Sequence, residues 1–88
     1  MELKVFTLPT CSVCSIAKTI ASEIAEKHGV TCRVVNMATN EGLDEGSTYK
    51  ITSAPSIALD DDVFVRGHLI SKEKLEKEIM ERLNRLKP

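Results

Sequence analysis

The stretch Leu3-Lys4-Val5-Phe6-Thr7-Leu8-Pro9-Thr10-Cys11-Ser12-Val13-Cys14 decides the fold. The β-branched and apolar run from Glu2 to Leu8 reads as a buried strand, Pro9-Thr10 breaks it, and a helical pattern starts at Ser12. Two cysteines three positions apart therefore stand at a strand-to-helix junction. At that spacing on a helix, Cβ atoms lie roughly 5–6 Å apart, so small rotamer and backbone adjustments bring the sulfurs within bonding distance. A C-x-x-C in that setting is first of all a redox motif. The unpaired N–H groups and partial positive charge of a first helical turn favour a thiolate. That predicts Cys11 as the attacking sulfur, with a pKa between about 3.5 and 7.5, and Cys14, further into the helix, as the resolving one.

Outward from this junction, Ile16, Ile20 and Ile24 recur every four residues with Ala17, Ala21 and Ala25 beside them. They predict an amphipathic helix that stops at His28-Gly29. Thr31 to Met37 is nearly continuous in apolar and β-branched character and predicts a strand covered on both faces. Strand, helix, strand in that order implies a right-handed parallel crossover. Between Ala38 and Ser53, Gly42 and Gly46 interrupt a short helix expected over Leu43 to Tyr49. Ser56 to Leu59 and Val63 to Arg66 flank Asp60-Asp61-Asp62, an antiparallel hairpin with a solvated acidic turn. Ser71 is placed to cap a last helix whose stripe is Leu75, Ile79, Leu83 and Leu86, with Met80 beside it. Glu73 with Lys77, Glu78 with Arg82 and Glu81 with Arg85 stand four apart as supporting pairs.

The 88 residues, 42% of them apolar and 28% charged, predict one small globular domain over residues 1–88. No apolar run is long enough to span a bilayer, and Met1-Glu2-Leu3-Lys4 lacks the pattern of a signal peptide, so the cytoplasm is the expected compartment. Three cysteines, an odd count, argue against a stapled secreted scaffold. A net charge of −1 and so few aromatic residues (Phe6, Tyr49 and Phe64) give no basis for nucleic-acid binding, and a monomer is expected. Cys32, inside the second strand, reads as a small core hydrophobe. His28 reads as a residue at a helix C-terminus, and His68 as a surface loop residue. Lys18, one turn after Cys14, stands between a solvated lysine and one that tunes the thiolate.

The element order β-α-β-(α)-β-β-α, with C-x-x-C at the first strand-to-helix turn and Ala54-Pro55-Ser56 leading into the third strand, resembles the thioredoxin and glutaredoxin superfamily over essentially the whole chain. The resemblance implies a thioredoxin-like α/β fold, a mixed four-stranded sheet with helices on both faces. It implies thiol–disulfide oxidoreduction with Cys11 and Cys14 as the reacting pair and no metal or organic cofactor. Pro55 becomes the cis proline facing that pair, and Ala54 the residue whose backbone pairs with a bound client. The implied partners are disulfide-containing client proteins and a reductase or low-molecular-weight thiol as electron donor. The short chain is similar in size to glutaredoxin-like members. Yet Ser12-Val13 replaces both the proline that follows the first cysteine in glutaredoxins and the Gly-Pro of thioredoxins. Arg66-Gly67-His68-Leu69 stands where glutaredoxins carry a glutathione-serving Gly-Gly-x-Asp segment. The donor is therefore open between glutathione and a thioredoxin reductase. The alternative from another class is a soft-metal or iron–sulfur carrier using the same cysteines. A lone C-x-x-C supplies two of the four ligands of a structural zinc site, and the βαββαβ order of copper carriers ends on a strand where this chain ends on a helix.

Overall fold

Alternation along the first strand sets the layers of the molecule. In a computed structural model describing residues 2–85, β1 (Glu2–Thr7) turns Leu3 and Val5 into one apolar cluster and Phe6 into a second. The chain continues through α1 (Cys14–Lys27), β2 (Thr31–Asn36), α2 (Asn40–Thr48), β3 (Ser56–Leu59), β4 (Asp62–Arg66) and α3 (Lys72–Arg85). The four strands form one mixed sheet in the order β2-β1-β3-β4. β1 is parallel to β2, with Thr7 opposite Asn36, and antiparallel to β3, with Phe6 opposite Ser56. This is a thioredoxin-like fold.

One face of the sheet carries α1 and α3. Ala17, Ala21, Ile24 and Ala25 of α1 and Leu75 and Ile79 of α3 pack with Leu3, Val5, Ile57 and Leu59. The small alanines allow close approach, and Lys27 and His28 both reach Glu76 of α3, at 2.7 and 3.0 Å. The other face, with Phe6, Val35, Met37, Ile51 and Ala58, is covered from the side of α2. Among the described residues, no helix is long and apolar enough to cross a membrane.

Several sequence expectations change. β2 is an edge strand rather than one covered on both faces: Val35 is buried, whereas Val34 is 47% exposed and Cys32 only partly buried. β-Branched residues favour strands wherever they lie, so composition alone does not separate an edge from a centre. Ile16 is 49% exposed. A four-residue spacing overshoots the helical repeat by about 40° per step, and the buried stripe follows Cys14, Ala17, Ala21, Ile24 and Ala25. Of the expected pairs on the last helix, Glu78–Arg82 forms at 2.7 Å, Lys77 makes no ion pair among the described residues, and the Arg85 side chain and Leu86 lie outside the described residues.

The second helix starts earlier than expected and runs through both glycines. The Thr39 hydroxyl caps it, accepting the Gly42 N–H at 3.0 Å. A Cβ built on Gly42 would overlap the backbone carbonyl of Asn36, so glycine is what lets α2 dock on the end of β2. Gly42→Ala should destabilise the fold by about 1–3 kcal/mol, as overpacking at a closed contact does, read as a lower urea midpoint.

On the α2 side, Lys4 and Arg33 are cross-strand neighbours of like charge, an unfavourable pairing unless compensated. Glu45 supplies the compensation, contacting Arg33 and lying 3.8 Å from Lys4, while Glu2 reaches Arg33 at 3.3 Å. The Arg33 hydrogen bond holds the Glu45 carboxyl below its ordinary value of 4.5, against the opposing effect of burial. A lowered folded pKa contributes stability that is present above 4.5 and lost as pH falls through the folded value. Glu45→Gln should therefore be less stable than the wild type at pH 7, with the difference in urea midpoint shrinking as pH drops below 4.5.

Candidate active site

A turn built by Pro9 carries the chain from β1 to the cysteines. The Cys11 N–H donates to the Leu8 carbonyl at 3.0 Å, closing a four-residue turn in which proline occupies the second position, where its fixed φ is favourable. α1 begins at Cys14 with Val13 as its N-cap, so Cys11 precedes the helix by three residues instead of lying in its first turn. A disulfide joins Cys11 and Cys14, with Cα atoms 5.5 Å apart, and thereby places the Cys11 sulfur at the helix N-terminus. That terminus has neither a side-chain cap nor an acidic residue in its first turn. The positive end of its dipole is left to the sulfurs. Burial separates the two cysteines, Cys14 being 4% exposed and Cys11 partly open.

A cavity of about 290 Å³ opens at the disulfide. Thr7, Leu8, Pro9, Lys18 and Asn36 line it with the two cysteines and Ser15, and none of these carries a carboxylate. Lys18 is its one basic side chain. Asn36 and Thr7 were not singled out in the sequence. The parallel register that sets the last residue of β2 beside the last residue of β1 is the signal that finds them.

Ala54 and Pro55 lie on the opposite flank. Their peptide bond is cis, as the resemblance implies. Continuing the antiparallel register past Phe6–Ser56 sets Pro55 beside Thr7 and Ala54 beside Leu8. Neither residue lines the disulfide cavity, which faces β2. The Gly67 N–H, just past β4, ties the segment across by donating to the Pro55 carbonyl at 3.0 Å, and within the segment the Ser56 hydroxyl donates to the Ser53 carbonyl at 2.8 Å. Gly67 has φ of 77°, and a Cβ there would overlap the Ser53 hydroxyl.

The remaining candidates separate from this centre. Cys32 faces a shallow cavity with Lys18, Thr19, Ser22, Glu23 and Val34, and burial pushes its thiol up, the opposite of activation. His28 caps the C-terminus of α1 and contacts Glu76. Asp60, Asp61 and Asp62 are structural as well as solvated: they accept from the Glu2 N–H, the Tyr49 hydroxyl and Arg82 at 2.9, 2.9 and 2.6 Å. Among the described residues, no group of three or more His, Cys, Asp or Glu is placed to hold a metal ion.

Comparison with known proteins gives the same picture. The profile of a thioredoxin domain family matches residues 1–80. A protein of Archaeoglobus fulgidus described as a probable thioredoxin is 32% identical over 65 residues, which cover 74% of this chain and 71% of that protein. Among solved structures, thioredoxin 1 of Thermosipho africanus has a TM-score of 0.77 at 20% identity and covers 96% of both chains. A thioredoxin-like protein from Clostridium perfringens has a TM-score of 0.76 at 16% identity, covering 91% of this chain and 68% of its own. With a profile spanning nearly the whole sequence, a disulfide at the first strand-to-helix turn and a cis proline at the start of the third strand, the chain belongs to the thioredoxin domain family.

Proposed function

We propose that the protein is a thiol–disulfide oxidoreductase that reduces disulfides of client proteins or small molecules. The observation that carries this reading is the Cys11–Cys14 disulfide at an uncapped helix N-terminus, with Cys11 partly open and Cys14 buried. In the reduced protein the Cys11 thiolate attacks one sulfur of the client disulfide. A mixed disulfide forms and the client's other sulfur leaves as a thiolate. Cys14 then loses its proton and attacks the Cys11 sulfur, releasing the second client thiolate and restoring the Cys11–Cys14 disulfide. Two electrons pass to the client, and a dithiol reductase or two low-molecular-weight thiols return them.

The surroundings support these roles. Helix N–H groups stabilise the Cys11 thiolate that attacks the client disulfide, and the client thiolate is the group displaced in the resolving step. With no carboxylate lining the cavity, the Cys14 proton leaves through water, and the positive charge of Lys18 favours the resulting thiolate. On the other flank, Ala54 offers its backbone to the client chain, while Pro55 has no N–H to leave unpaired beside the sulfurs.

A reductase assay on a model disulfide, run with glutathione plus its reductase and in parallel with thioredoxin reductase, tests the activity and names the donor. Cys14→Ser should accumulate a mixed disulfide through Cys11, detectable as a mass adduct, while Cys32→Ser keeps turnover near the wild-type value. Absence of any adduct from a folded Cys14→Ser protein would reverse the assignment of the two sulfurs. Lys18→Gln should slow alkylation of the reduced pair at pH 7 roughly two- to fivefold, measured by mass spectrometry against time.

A further inference from the structure

A second cavity, of about 550 Å³, lies at the opposite edge of the sheet, between the loop that follows β4 and the first turns of α3. Phe64, the exposed Leu69 and Ile70 give it an apolar floor, and Lys74 and Lys77 supply cations around it, with the His68 ring beside them. The single carboxylate in its lining, Glu78, is already engaged by Arg82 at 2.7 Å. Arg82 also holds Asp62 at 2.6 Å and lies over the Phe64 ring. Lys74 and Lys77, both exposed, form no ion pair among the described residues. The charge left over is positive.

The cavity is joined to the redox end through one loop. Gly67, which precedes His68, donates its N–H to the carbonyl of Pro55. A chain crossing from the end of β1, past Ala54 ahead of β3, to His68 after β4 traverses two strand spacings, about 10 Å, and α3 lies further on, its Lys72 pairing with Glu23, which is about 14 Å along α1 from Cys14.

We propose that this cavity docks an acidic segment of the client chain, with Lys74 and Lys77 pairing with carboxylates about five to seven extended residues from the client cysteine. The proposal rests on the oxidoreductase reading and adds a substrate preference to it. His68 and the Ser71 hydroxyl are placed to donate hydrogen bonds to the same carboxylates, and Leu69 to pack on their aliphatic stems. Exposed ion pairs are individually weak and screened by salt. The preference is therefore modest per pair and fades at high ionic strength.

The test uses two peptides with one cysteine as its S-methyl disulfide, differing only in glutamate or glutamine at about the fifth to seventh positions on each side. Binding of each to the oxidised protein is measured by fluorescence anisotropy at low salt, and KM and kcat for reduction are measured separately. Wild type should bind the glutamate peptide roughly fivefold more tightly, with the difference appearing in KM and lost in Lys74→Gln/Lys77→Gln. That double variant should reduce the neutral 2-hydroxyethyl disulfide at the wild-type rate. Equal affinity for both peptides, no binding of either, or a preference that survives the double substitution overturns the proposal. If neither peptide is reduced but the glutamate preference in binding stands and depends on the two lysines, the redox reading fails and the acidic docking site remains. If both are reduced without preference, the reverse holds.

Discussion

Because β1 is hydrogen-bonded along both edges and buried on both faces, its last residue is fixed in three dimensions, and everything attached to Thr7 inherits that position. The turn through Pro9 is then short enough to leave Cys11 little choice of place. The same strand sets the two flanks of the disulfide. Its parallel neighbour brings Asn36 to one side, and its antiparallel neighbour brings Ala54 and Pro55 to the other. A domain of 88 residues has few buried side chains with which to hold a reactive centre. Hanging that centre on the central strand uses the most constrained backbone available.

Such a strand would be expected to bury no charge, and Lys4 is the exception, 8% exposed. A buried ammonium is costly unless its donors are satisfied. Here the Lys4 Nζ donates to the Tyr49 hydroxyl at 2.8 Å and lies 4.8 Å from the centroid of its ring. The same hydroxyl donates to Asp61 at 2.9 Å. The hydrogen bond to Tyr49 is the largest cause of a raised Lys4 pKa, outweighing the desolvation that acts against it. The charge is thus retained, and its contribution to stability is present below 10.5 and lost only as pH rises through the higher folded value. One polar chain ties the central strand to the end of α2 and to the β3–β4 turn.

Much of this was legible in the sequence where a residue's chemistry and its local pattern agreed. Pro9, Cys11, Cys14 and Pro55 each constrain the backbone or carry reactivity wherever they occur, and periodicity placed the elements around them. What escaped depends on which strands are neighbours. Cys32 and Val34 have the composition of a central strand and lie on an edge, since strand order is a tertiary property. The bulge between β3 and β4 that skips Phe64 in the register leaves no local signature, yet it turns that ring toward Arg82. Glycines that interrupt a helical pattern read as breakers, whereas Gly42 and Gly46 lie inside α2, where a Cβ on Gly42 would overlap the Asn36 carbonyl and one on Gly46 would press on the Met37 side chain.

Charge is the property for which the composition misleads most. A net charge of −1 describes a nearly neutral protein, but the acidic and basic groups are not distributed alike. Glu2, Glu23, Glu45, Asp62, Glu76 and Glu78 are each engaged in ion pairs, and paired carboxylates project little field beyond their partners. Lys18 lines the disulfide cavity, and Lys74 and Lys77 line the cavity beyond Pro55, with no carboxylate engaging any of the three among the described residues. Around the disulfide itself, the charges are the Lys18 cation and an uncapped helix N-terminus. An unpaired positive field of this kind favours thiolates at the centre and draws anionic groups toward it from either side. Stabilising the sulfur and selecting what reaches it are then two consequences of one arrangement of charge.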